Sequence, residues 1–202
     1  MKRILFIFLL LSSHNLYSQL SAVSEEGILN HSTLIVEGKV VAQQTIETNI
    51  SSLVFMLNKV KVFKVFKGKI NAYHVEILTR GGTINGVAMN GEDDFSLAKD
   101  DVGIFYLHPQ NINIINDPNS GSIIYDVYAG SQGFIKYDLQ TKTAATPFIS
   151  YKNISRNLYP HFEKMTGGYI LIDDTFMAEP PKQVMLSKKR LTKNLPHKKS
   201  PQ

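Results

Sequence analysis

The chain has 202 residues and not one cysteine. That absence excludes disulfides, thiolate nucleophiles, zinc–thiolate sites and a lipidated cysteine after export. The apolar stretch from Ile4 to Leu11 is too short to anchor the chain across a bilayer, so no transmembrane anchor is expected. The common catalytic signatures HExxH, GxSxG, GxxxxGK[ST] and GxGxxG are missing as well. The six histidines (His14, His31, His74, His108, His161 and His197) never recur at the three- or four-residue spacing of a helical metal site. These absences point to a noncatalytic chain without a cofactor.

Acidic residues cluster at Glu92, Asp93 and Asp94, with Asp100 and Asp101 a few positions on. They offer hard oxygen donors but not the alternating spacing of a calcium loop, so no metal is assigned to them. Adjacent acids in an exposed loop also lack the burial that separates the two carboxyl pKa values in a glycosidase. A solvated binding loop is the expectation.

What the chain does have begins with Met1-Lys2-Arg3, the apolar stretch and a polar end near Ser18-Gln19. This is the layout of a signal peptide over residues 1–19, implying a secreted or periplasmic product. The net charge of +5 conceals an uneven distribution. Of 22 basic residues, two lie in the signal segment and seven between Lys182 and Gln202, which leaves 13 against 17 acids in the body of the chain. The body is mildly acidic, so a nucleic-acid partner is not expected. Residues 180–202 read as a basic disordered tail.

The central stretch runs from Leu53 to Gly82 and alternates with period two. Val54, Met56, Val60 and Val62 share one side, with Lys59 and Lys61 on the other. After Val62 the phase slips, making Phe63 and Val65 the apolar set and Lys64 and Lys67 the polar one, as a β-bulge would do. A second strand follows, with Val75, Ile77 and Tyr73 inward and Glu76 outward, up to Gly81-Gly82. An earlier strand over His31–Val41 puts Leu34, Val36 and Gly38 on one face, with Ile35, Glu37 and Lys39 on the other. Gly38 marks a point where a neighbour comes close. Residues 43–52 read as a loop or frayed strand ends, and residues 83–94 as a surface loop containing one short strand. Further strands are expected at Val102–Leu107, Ile112–Ile115, Ile123–Val127 and Phe134–Tyr137. Ile154, Leu158, Phe162 and Met165 then form a helical stripe that ends at Gly167-Gly168 and is suited to closing a barrel's open end. Pro160 within it marks a kink or a second start.

Leu34-Ile35-Val36-Glu37-Gly38-Lys39-Val40, Val60 to Gly68, Val75-Glu76-Ile77 before a Gly-Gly step, and Val102 to Leu107 after an acidic turn together resemble the netrin-like module. This is the OB-type barrel of the tissue inhibitors of metalloproteinases, and the resemblance extends from Asn30 to Tyr137. It implies a mainly β, OB-type antiparallel barrel over residues 20–150, with a C-terminal helix and short strand packed on it over 151–179. Cysteine-free bacterial members are the nearer likeness. The inhibitors chelate zinc through an amino-terminal cysteine, which this sequence cannot supply.

The function expected from these features is an exported noncatalytic binding module whose partner is an extracellular or periplasmic protein or glycan. The alternatives are a hydrolase, an accessory domain of a secreted hydrolase, or a protease-inhibitor-like barrel. The candidate binding residues are the lysine ribbon Lys59, Lys61, Lys64 and Lys67, which runs on to Lys69, the adjacent Tyr73 and His74, and the acidic Glu92, Asp93 and Asp94. Lysines on a strand's solvent side also discourage edge pairing, a purely structural use of the same residues.

Overall fold

The computed structural model describes residues 21–47, 54–84, 87–89, 95–110 and 123–178. Helix α1 (Glu25–His31) is followed by the long strands β1 (Leu34–Glu47) and β2 (Val54–Lys67), then β3 (His74–Arg80). A hairpin of β4 (Gly82–Ile84) and β5 (Val87–Met89) precedes β6 (Val102–Pro109), β7 (Ile124–Val127) and β8 (Phe134–Asp138). Strands β9 (Thr143–Ala145) and β10 (Ser150–Tyr151) form a second short hairpin. A π-helical turn at Ile154–Leu158, helix α2 (Tyr159–Thr166) and β11 (Ile170–Leu171) complete the order.

The protein is mainly β, and its principal sheet bends partly into a ring. β1 pairs with β2, β2 with β3, β3 with β7, β7 with β6, and β6 again with β1. The β3–β7 join is parallel and carries two residue pairs, Glu76 with Ile124 and Ile77 with Tyr125, so the ring is thinnest there. Strands β8, β9 and β10 extend the sheet beyond β6.

Alternation along the strands produces two cores, one on each face of the wall. Leu34, Val36, Val40, Val60, Val62, Val75, Ile77, Phe105 and Leu107 fill the inside of the ring, where Phe105 and Phe134 stack at 4.5 Å. Ile35, Ile104, Tyr106, Ile135 and Tyr137 point the other way and meet Ile154, Leu158 and Phe162. The C-terminal helix therefore covers the outer face of the β1–β2–β6–β8 wall. It does not stop the ring's open end, as its apolar stripe alone suggested. The outer strand faces that periodicity assigns to solvent are buried here, because a second layer lies over them.

The helical segment starts in two stages. Asn153 accepts a hydrogen bond from the Arg156 N–H and opens the π-helical turn, while Pro160 sits in the first turn of α2, where its missing N–H costs nothing. Gly167, at φ 78°, ends α2 in the left-handed region.

Where β1 passes between β2 and β6, Gly38 stands opposite Gly103. A Cβ on Gly38 would come within 2.6 Å of the Lys61 carbonyl oxygen, and one on Gly103 within 2.1 Å of that of Ile135. The expected close approach at Gly38 is thus present, and its cross-strand partner shares the restriction. At the other end of β1, Gln43 donates to Asn58 at 2.7 Å and to the Leu97 carbonyl at 2.8 Å, and Asn58 donates to the Ile77 carbonyl and Thr79. Residues Gln43–Glu47 are paired strand rather than loop, since both their ladder and this polar link hold them.

Candidate binding surface

Strand β2 carries the lysine ribbon, and its irregularities decide where each lysine goes. Across from β1, Val62 pairs with Gly38 and Lys64 with Glu37, while Val65 pairs with Val36 and Lys67 with Ile35. Phe63 and Phe66 are the extra residues of two successive register shifts, where the sequence pattern indicated one. Each shift places two consecutive residues on the outer face. Phe63 joins the core under α2 and Val65 returns to the ring interior, so the two do not share a face as their spacing suggests.

Lys64 is consequently buried rather than displayed. It is 5% exposed and forms an ion pair with Glu37, which is 0% exposed. Lys64 Nζ also donates to Tyr159 Oη at 2.9 Å and lies 4.3 Å from the Tyr159 ring centroid. Glu37 Oε1 accepts hydrogen bonds from Tyr137 Oη, at 2.9 Å, and from Tyr159 Oη. Desolvation first, and the Glu37 charge second, push both phenols well above their ordinary range, which keeps them as donors. The quartet is closed and mutually satisfied, and it ties α2 to the wall. Sequence reading missed it, although a glutamate inside Leu34–Val40 and a lysine between Phe63 and Val65 are charges in strongly apolar surroundings.

Lys67 is likewise turned inward, donating to the Leu29 carbonyl of α1 at 2.6 Å. Lys61 is half-buried and bridges to Asp173 at 2.7 Å. That contact follows from the first bulge: the Phe63 carbonyl accepts from the N–H groups of Ile172 and Asp173, which sets Asp173 beside Lys61. Its hydrogen bonds with Lys61 and Thr175 hold the Asp173 carboxyl down at about 2.

Lys59 alone of these four lysines is exposed; it shares the outer face of β2 with Lys61 and Lys64 but lies beyond the part that α2 covers. It lines a concave groove of about 410 Å³ with Lys69, Asn71, His74, Ile123 and Tyr125. His74 lies opposite Lys61 across β2–β3. Partial burial, then the charges of Lys59 and Lys61, lower its pKa below 6.5, so the imidazole is neutral at pH 7 inside a positive field. Tyr73 is 49% exposed beside the groove instead of pointing inward, and Ile123 is 61% exposed at its edge. Glu76 also lines the groove, so the positive field has an acidic border. Ile123 and Tyr125 complete a site of which the sequence pattern indicated Lys59, Lys69 and His74. Glu92, Asp93 and Asp94 lie outside the described residues, as does the expected strand at 112–115.

Among the described residues no group of three or more His, Cys, Asp or Glu side chains is placed to hold a metal, and no helix is long and apolar enough to cross a membrane. Searches against protein-family models, curated proteins and solved structures found no match to this chain.

Proposed function

We propose that this chain is an exported noncatalytic binding module on an OB-type, netrin-like barrel, and that its groove takes an anionic glycan. The OB-type reading is supported by strand order: three antiparallel strands, then β7 parallel to β3, then β6 returning antiparallel to β1. Barrels of that type bind oligomers across the face of their second and third strands and the adjoining loops. The groove at Lys59, Lys69 and His74 occupies the corresponding β2–β3 face. Export rests on the signal-like layout of residues 1–19.

The observation that carries the reading is the convergence of Lys59 and Lys69 with Ile123 and Tyr125 in one concavity. Two ammonium groups supply charge for carboxylate or sulfate substituents, and the apolar edge supplies a surface for a sugar ring. The neutral His74 can donate to or accept from a hydroxyl.

A sulfated heparin-type oligosaccharide titrated into the full chain tests this. Affinity should fall as salt rises, and the Lys59→Glu, Lys69→Glu double variant should lose about tenfold or more. Binding that ignores both salt and charge reversal overturns the proposal, as does absence of binding at low salt. Preference for an acidic peptide over the oligosaccharide would assign the groove to a protein partner instead.

A further inference from the structure

A second cavity, of about 320 Å³, lies away from the lysine groove and reaches the end of β3. Its apolar surface comes from Phe55, Leu78, Phe95 and Val127, and its polar groups include Arg80, His108 and Asp126. The topology brings these three together from three neighbouring strands. Arg80 ends β3, Asp126 belongs to β7 beside it, and His108 on β6 lies directly opposite Asp126. Asp126 and His108 occupy outward positions, since their neighbours Val127 and Leu107 belong to the ring interior.

Among the described residues, His108 Nδ1 is buried without a hydrogen-bond partner. Buried polar atoms in native proteins are nearly always paired, so the imidazole beside this cavity keeps an unused hydrogen-bonding atom. Burial raises the Asp126 carboxyl, while His108 and Arg80 pull it back, which places all three within electrostatic reach of one another. The cavity thus combines one fixed cation, one carboxyl, one adaptable imidazole and an apolar surface, in a volume suited to a small molecule.

We infer that this cavity binds a free amino acid with a large apolar side chain. The α-carboxylate faces Arg80, whose planar fork matches it bidentately. The α-ammonium faces Asp126, and the side chain lies against Phe55, Leu78, Phe95 and Val127. A purely anionic ligand would confront Asp126 and a purely cationic one Arg80. The zwitterion alone answers both charges, and its polar end also brings hydrogen-bonding atoms toward His108.

The test is a calorimetric titration of the full chain with L-phenylalanine, 3-phenylpropionate and phenethylamine. The amino acid should bind about tenfold or more tightly than either single-charge analogue. Arg80→Met, an exposed substitution that leaves folding intact, should abolish the preference for phenylalanine over phenethylamine. Asp126→Asn should abolish the preference over phenylpropionate, and the His108 ring resonances should shift on binding in the unaltered chain. Equal affinities for all three compounds, no binding, or an undiminished preference in Arg80→Met overturns the inference. The lysine groove is not touched by these variants, so heparin-type binding stands or falls separately.

Discussion

Lys59 and Lys64 are five positions apart on one strand and meet opposite fates. Lys59 stands on an uncovered stretch of β2 and lends its charge to a concavity. Lys64 is sealed beneath α2 with Glu37, Tyr137 and Tyr159. Both are lysines in apolar alternation, so residue type does not separate them. The register shift at Phe63 puts Lys64 on the same outer face as Lys59, so what separates them is a helical layer contributed by a segment about 95 residues later in the chain. A strand's polar face is therefore a binding surface only where no later element covers it.

The largest effect expected from this contrast is at the sealed lysine. Lys64→Met should destabilise the fold by about 3–5 kcal/mol in urea unfolding, because Glu37 is left as an unpaired buried charge. Adding Glu37→Met should recover most of that loss, since an apolar pair of similar volume replaces an ion pair whose desolvation is costly. A single variant as stable as the parent would mean that Glu37 is not enclosed.

Gly38→Ala should cost about 1–3 kcal/mol, because its Cβ would press on the Lys61 carbonyl of the strand that carries both lysines. Thermal unfolding reads this directly.

The half-buried Lys61 is intermediate. Asp173 has a folded pKa of about 2, lowered by its Lys61 and Thr175 hydrogen bonds from an ordinary value of 3.8. A depressed carboxyl contributes stability above its unfolded value and loses it as pH falls through the folded one. The pair's contribution, on the order of 0.5 kcal/mol for a partly solvated bridge, should therefore fade between about pH 4 and pH 2. Asp173→Asn should remove that part of the acid dependence, measured as the difference in urea midpoint across the same window.

The smallest effect is at the open lysine. Lys59→Glu should change stability by no more than about 0.5 kcal/mol. It should nevertheless raise the His74 pKa, because one of the cations that lowers it has been replaced by an anion. NMR titration of the imidazole separates this from no interaction.

Much of the ring was legible from period-two alternation: β1, β2, β3, β6, β7 and β8 lie close to where the apolar pattern places them, and the Ile154–Phe162 stripe is buried as its spacing requires. Periodicity reports which residues share a side, but not whether that side meets water. Glu37 and Lys64 show the gap, because their enclosure depends on Tyr137 and Tyr159 from distant segments. The second shift at Phe66 was hidden because phenylalanine is acceptable on either face. Strands β9 and β10 were illegible for a different reason: they are three and two residues long, too short to show a period. Of the groove, the local residues Lys59, Lys69 and His74 could be read, while Ile123 and Tyr125 arrive through the parallel β3–β7 join, which no local pattern encodes.

The paired bulges also make the length of β2 as restrictive as its composition. Removing Phe63 or Phe66 would restore plain alternation at the cost of an aromatic ring in the core beneath α2, whereas removing Val65 would empty its place in the ring interior. Natural or engineered deletions should accordingly be far rarer over residues 63–66 than conservative exchanges of the individual letters.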